Sequence, residues 1–94
     1  MHITACVLEL EIPGSKSLKE KRGRIRPLLS KLNSQFGLAA AEIARLDSRD
    51  GATVACVVVS TDPAHNERVL QSVLRWIETN RPDLEIRDAQ IEPR

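Results

Sequence analysis

Residues 38–61, LAAAEIARLDSRDGATVACVVVST, contain two strand patterns in direct succession, 38–47 and 52–61, joined by Ser48-Arg49-Asp50-Gly51. Asp-Gly favours the positive φ angles of a tight hairpin turn, so the two segments are predicted to pair antiparallel. The stretch decides the fold because a helical pattern flanks it on each side. Downstream, Asp62 is placed to cap a helix that starts with Pro63, where a missing amide proton costs nothing. Val69, Leu70, Val73, Trp76 and Ile77 form its apolar stripe, and Asn80-Arg81-Pro82 ends it.

Upstream, Ser17-Leu18-Lys19-Glu20 reads as a capping box, with Ser17 as N-cap and Glu20 folding back to its amide. The helix it opens spans residues 18–36, with Leu18, Ile25, Leu29, Leu32 and Phe36 at helical spacing and Gly37 as the left-handed closing residue. Pro27 lies inside this span and removes a backbone donor opposite the Gly23 carbonyl. It predicts a kink or unwound turn between Gly23 and Pro27 rather than two helices, since the apolar stripe keeps its phase.

Beyond the helices lie the outermost strands. Residues 2–12, HITACVLELEI, place Cys6, Leu8, Leu10 and Ile12 on one face and Val7, Glu9 and Glu11 on the other. Residues 84–92, LEIRDAQIE, alternate less regularly and slip register near Asp88, as at a bulge or an edge strand. The order βαββαβ in one short domain, residues 1–94, with right-handed crossovers predicts an α+β ferredoxin-like sandwich. Its four-stranded antiparallel sheet has the first and third strands central and two helices on one face.

That arrangement leaves one sheet face open, yet the third strand is apolar on both faces. The second strand carries Ala39, Ala41 and Ile43 opposite Leu38 and Leu46. A face so apolar is expected to be covered, most simply by a second copy of the chain in a homodimer or higher homo-oligomer.

With 94 residues, 41% hydrophobic and 29% charged, the chain has the composition of one small globular core. Its longest apolar run, Val54 to Val59, is far short of the roughly 18 residues a membrane helix needs, so no membrane association is expected. The N-terminus lacks the features of a secretory signal, and two cysteines outside any CxxC pair read as reduced thiols, so a cytoplasmic location is expected. The net charge of +1 conceals an asymmetry: Lys16, Lys19, Lys21, Arg22, Arg24, Arg26 and Lys31 are opposed within their stretch only by Glu20. Uneven charge of this kind suggests a polyanionic partner.

The stretch Pro13 to Arg22, a strand exit running into a helix start, is the most informative for function. Free helix amides and the dipole attract an anion there, and the Ser15 and Ser17 hydroxyls with Lys16 and Lys19 could complete a phosphate site. Lys19, Arg22 and Arg26 stand at i, i+3 and i+7, forming one basic stripe suited to a nucleic-acid backbone. The candidate anion or RNA-backbone residues are therefore Ser15, Lys16, Lys19, Lys21, Arg22 and Arg26; solvated lysines on an exposed helix are the competing explanation.

Other chemistries find less support. Gly14-Ser15-Lys16-Ser17 lacks the glycine spacing and Gly-Lys pair of a P-loop, which argues against nucleotide hydrolysis. His2 and His65 have no neighbours that would make a metal site or a triad, so no catalytic residue, metal or cofactor is expected. Cys6 and Cys56 fall on adjoining central strands and read as core packing. Phe36 and Trp76, the only aromatics, lie on helical stripes, so the sheet cannot stack bases and any RNA contact must be through the backbone.

A strand followed by IPGSKSLKEKR (12–22), and later VVVSTDPAHNERVL (57–70), resemble the YlxP-like family of small bacterial proteins of unknown function. The resemblance covers nearly the whole chain. It implies a ferredoxin-like fold and a gene often found beside those for a translation initiation factor and ribosome-binding factor A, and it supplies no established activity. Three functions follow as expectations: a non-enzymatic RNA- or ribosome-associated protein, a self-associating domain that binds a small anionic metabolite at a subunit interface, or an enzyme completed by a partner chain.

Overall fold

Alternation in β1 (His2–Glu11) buries Thr4, Cys6, Leu8 and Leu10 and leaves the intervening residues partly exposed, the signature of a strand with one face packed and one open. The computed structural model, which describes residues 1–94, continues with α1 (Leu18–Phe36), β2 (Ala39–Ala44), β3 (Gly51–Ser60), α2 (Pro63–Asn80) and β4 (Glu85–Pro93). The strands form one sheet in the order β2-β3-β1-β4, and every neighbouring pair is antiparallel. Both helices pack on the same side, α1 over β2 and β3 and α2 over β1, β3 and β4. The expected ferredoxin-like arrangement is thus the observed one. No helix is long and apolar enough to cross a membrane.

The core between helices and sheet is one cluster of 16 buried residues, among them Leu8, Leu10, Val54, Leu32, Leu70 and Ile77. Helix phase explains the membership. In α1 the buried positions are Lys21, Ile25, Leu28 and Leu32, and in α2 they are Asn66, Leu70, Val73 and Ile77, each spaced by three or four. Leu28 is the buried residue where the sequence pattern favours Leu29, which is only half-buried. Each stripe therefore starts with a polar residue. Asn66 satisfies its amide by donating to His2 O (3.1 Å) and Thr4 Oγ1 (3.2 Å) and accepting from Ser60 Oγ (2.5 Å), which pins the start of α2 to the ends of both central strands.

Four local expectations need correction. First, α1 runs unbroken through Pro27, with no unwound turn. The residues buried on both sides of it, Lys21, Ile25, Leu28 and Leu32, hold the helix to the sheet. Second, Glu20 folds back one residue further than a standard capping box: Ser17 Oγ accepts from the Glu20 amide (3.1 Å), while Glu20 Oε2 accepts from the amide of Lys16 (2.8 Å), not that of Ser17.

Third, β2 stops at Ala44, three residues early, and the link to β3 is a six-residue loop, Arg45 to Asp50, in place of the Asp-Gly hairpin. Arg45 adopts a left-handed backbone at φ 56°, which L-residues take only when held. Its guanidinium supplies the hold, donating to Leu10 O and Ala52 O (both 3.0 Å) and pairing with Glu9 (3.1 Å) and Glu11 (3.2 Å). A Cβ on Gly51 would stand 2.6 Å from Arg45 Nη1, so only glycine admits this packing. Fourth, Leu46 lies in that loop, exposed, and not on the sheet.

The register of β2 also slips between Glu42 and Ala44, leaving Ile43 unpaired. In β4 the slip foreseen near Asp88 is a bulge on an edge strand, with Arg87 as the extra residue.

Candidate polyanion-binding site

The loop leading into α1 is tightly tied. Gly14 turns with φ 80°, and Ser15, only 6% exposed, donates its hydroxyl to Arg49 O at 2.6 Å. That bond joins this loop to the β2–β3 loop. With Ser17 acting as the cap, both hydroxyls of the helix start are committed to backbone partners. Ser15 therefore leaves the candidate set.

Lys21 leaves it as well. It occupies the first position of the buried stripe, four residues before Ile25, and is 1% exposed. Its three ammonium protons face Arg45 O (2.9 Å), Gly51 O (2.9 Å) and Glu42 Oε2 (2.7 Å). That ammonium is the sole partner of the buried Glu42 oxygen, which has no aligned hydrogen bond of its own. Lys21 is an internal strut between α1 and the β2–β3 loop, so it cannot touch a phosphate.

Arg24 is engaged too, donating to Pro13 O at 2.7 Å. On the same side Arg81 donates to Arg24 O (2.7 Å) and grips both oxygens of Asp83 (3.0 Å each). The hydrogen-bonded Arg81 guanidinium holds the Asp83 carboxyl below its ordinary value.

What stays free is an outward face. Lys16, Lys19, Arg22 and Arg26 are all exposed, and none forms an ion pair. Lys19, Arg22 and Arg26 fall within one narrow arc of α1 and, with Gly23 and Pro27, line a shallow open depression of about 470 Å³. From Lys19 to Arg26 the helix rises about 10 Å, comparable to about three phosphates along one strand. Lys16, exposed in the loop just before the N-cap, lies at the N-terminal end of the helix, where unbonded helix amides add positive potential.

Other parts of the surface carry mixed charge or none. At the opposite sheet edge β4 exposes Glu85, Asp88 and Glu92, of which Glu85 and Glu92 pair with Arg87 and Arg94. The open sheet face carries Ala39, Ala41 and Ile43 from β2 and Ala55, Val57 and Val59 from β3, with Ile43 and Val59 each more than half exposed. It contains no aromatic side chain. Exposed His2 and His65 lie apart, and no three metal-ligating side chains converge. Cys6 and Cys56 face each other across β1 and β3, fully buried. The hydrogen bond of the Cys56 thiol to Cys6, reinforced by burial, pushes Cys56 far above an ordinary thiol.

A family model described as a protein of unknown function (DUF503) matches residues 3–91. It agrees with the coarser part of the resemblance carried by IPGSKSLKEKR, a small family without assigned activity. No curated protein matches the chain.

Proposed function

We propose that this chain, which belongs to the DUF503 family of proteins of unknown function, is a non-enzymatic binding module. It docks on the phosphate backbone of RNA, with the ribosome as the expected setting, through Lys16, Lys19, Arg22 and Arg26. The observation that carries the reading is that Lys19, Arg22 and Arg26 line one outward face, and that these three and Lys16 are exposed with no carboxylate among their ion-pair partners. Surface lysines and arginines that only solubilise a domain are commonly interspersed with acids. Here the single acid of the stretch, Glu20, is folded back onto the Lys16 amide. Binding of this kind neutralises phosphates and releases counterions, with no base readout.

The test is titration of the protein against ribosomal RNA fragments at low salt, for the parent and for Lys19→Glu/Arg22→Glu/Arg26→Glu. The parent should bind and the triple variant should lose the binding; equal binding by both would refute the reading.

The open sheet face favours a second element of function, self-association. We propose that a second copy of the chain covers it. The face is built mostly of alanine and valine, whose small side chains let the sheet of an identical copy approach closely. Three strands of up to ten residues offer about 500 Å² in projection, comparable to the roughly 800 Å² of accessible surface per partner in a stable interface. An anionic metabolite held at such an interface is the rival function. A thermal shift with phosphate-bearing metabolites and no response to RNA would favour that rival.

A further inference from the structure

Pro27 sits in the middle of an unbroken helix. Having no amide proton, it leaves the carbonyl of Gly23, four residues earlier, without the amide that ordinarily bonds it. Such a carbonyl keeps an acceptor site that its own helix ladder does not fill through the usual amide. Gly23 and Pro27 are both exposed and lie in the depression whose walls are Lys19, Arg22 and Arg26. Where a Cβ would stand on Gly23 there is no atom within 4 Å, so no side chain covers the helix backbone at that point. The two residues of poorest helix propensity thus coincide with three of the unpaired cations of α1.

The cations supply donors only and engage the phosphates of RNA and DNA alike. The Gly23 carbonyl adds an acceptor, and the donor that RNA carries along its backbone and DNA lacks is the ribose 2′-hydroxyl. Resting on the reading of α1 as a phosphate-backbone site, we infer that the Gly23 carbonyl accepts a hydrogen bond from a 2′-hydroxyl of a bound strand. The site then selects RNA over DNA without reading sequence.

Oligouridylate and oligodeoxyuridylate of equal length share the base and differ only in that hydroxyl, so their relative affinity isolates the contact. The parent should bind the RNA strand roughly 2- to 10-fold more tightly, the worth of one net hydrogen bond. Pro27→Ala returns an amide to the Gly23 carbonyl. It should abolish the preference, leave affinity for the DNA strand unchanged and raise the Tm. Equal affinity of the parent for both strands, or a preference that survives Pro27→Ala, overturns the inference while the phosphate reading stands. Binding of neither strand overturns the phosphate reading itself, and this inference with it.

Discussion

Replacing Lys21 by methionine separates the two roles that the run of basic residues combines. Methionine keeps most of the buried volume but removes three donors at once, stranding Arg45 O, Gly51 O and Glu42 Oε2. Removing one partner of a buried ion pair costs about 3–5 kcal/mol, because the other charge is left without a partner. Glu42 is 17% exposed on an edge strand and can turn partly toward water, which places the loss near the lower end, about 3 kcal/mol. Against a total of roughly 5–14 kcal/mol for a domain of this size that is a large fraction, and it corresponds to a Tm lower by roughly 12–24 °C. Urea unfolding and differential scanning calorimetry read both quantities. Lys21→Met/Glu42→Leu removes the orphaned carboxylate as well and should recover about half of the loss. RNA affinity, measured where the variant is still folded, should be unchanged. A cost below about 1 kcal/mol, or a double variant no more stable than the single one, would refute the strut. A clear drop in RNA affinity would return Lys21 to the binding face.

Three further outcomes follow from the same geometry. Because the folded Asp83 carboxyl titrates below its ordinary value of 3.8, its stabilising contact with Arg81 is complete above that pH and fades as pH falls through the depressed folded value. The stability difference between the parent and Asp83→Asn in urea should therefore shrink below about pH 4, and a pH-independent difference would contradict it. Cys6 and Cys56 should react with a thiol reagent only as fast as the sheet opens, so labelling in native buffer should be slow and labelling in denaturant rapid; fast native labelling would contradict the buried pair. Val57→Asp/Val59→Asp on the open face should convert the oligomer to monomer in sedimentation analysis without unfolding it. A parent already monomeric at high concentration would rule out self-association through this face.

Much of this architecture is legible from local chemistry. Period-two alternation in residues 2–12, Ser17 and Asp62 as caps, Pro63 at a helix start and Gly37 at a helix end each state a backbone preference that tertiary packing did not overrule. The end of β2 was hidden, because no propensity rule anticipates an arginine in a left-handed backbone. Arg45 adopts it only because Glu9, Glu11 and two carbonyls from other strands hold its guanidinium. The single helix across Pro27 was legible from the steady phase of its stripe; the absence of an unwound turn there was not, since the cost of Pro27 is local and its compensation by packing is not.

The candidate site was legible in outline. Lys19, Arg22 and Arg26 share a face because of their spacing alone, but spacing also held the signal that was missed. Lys21, Ile25, Leu28 and Leu32 continue one stripe, as Asn66, Leu70, Val73 and Ile77 do in α2. A polar residue in phase with an apolar stripe is a candidate for a buried, fully bonded group. Ser15 had no such signal, since its partner Arg49 is distant in sequence.

The salt dependence of RNA binding tests the central claim most directly. With three to four phosphates neutralised, log K against log salt should fall with a slope of about −2 to −3 for a single strand, and Lys19→Glu/Arg22→Glu/Arg26→Glu should abolish the binding. A slope near zero, or one that the triple variant leaves unaltered, would contradict the assignment of α1 as a phosphate-backbone site.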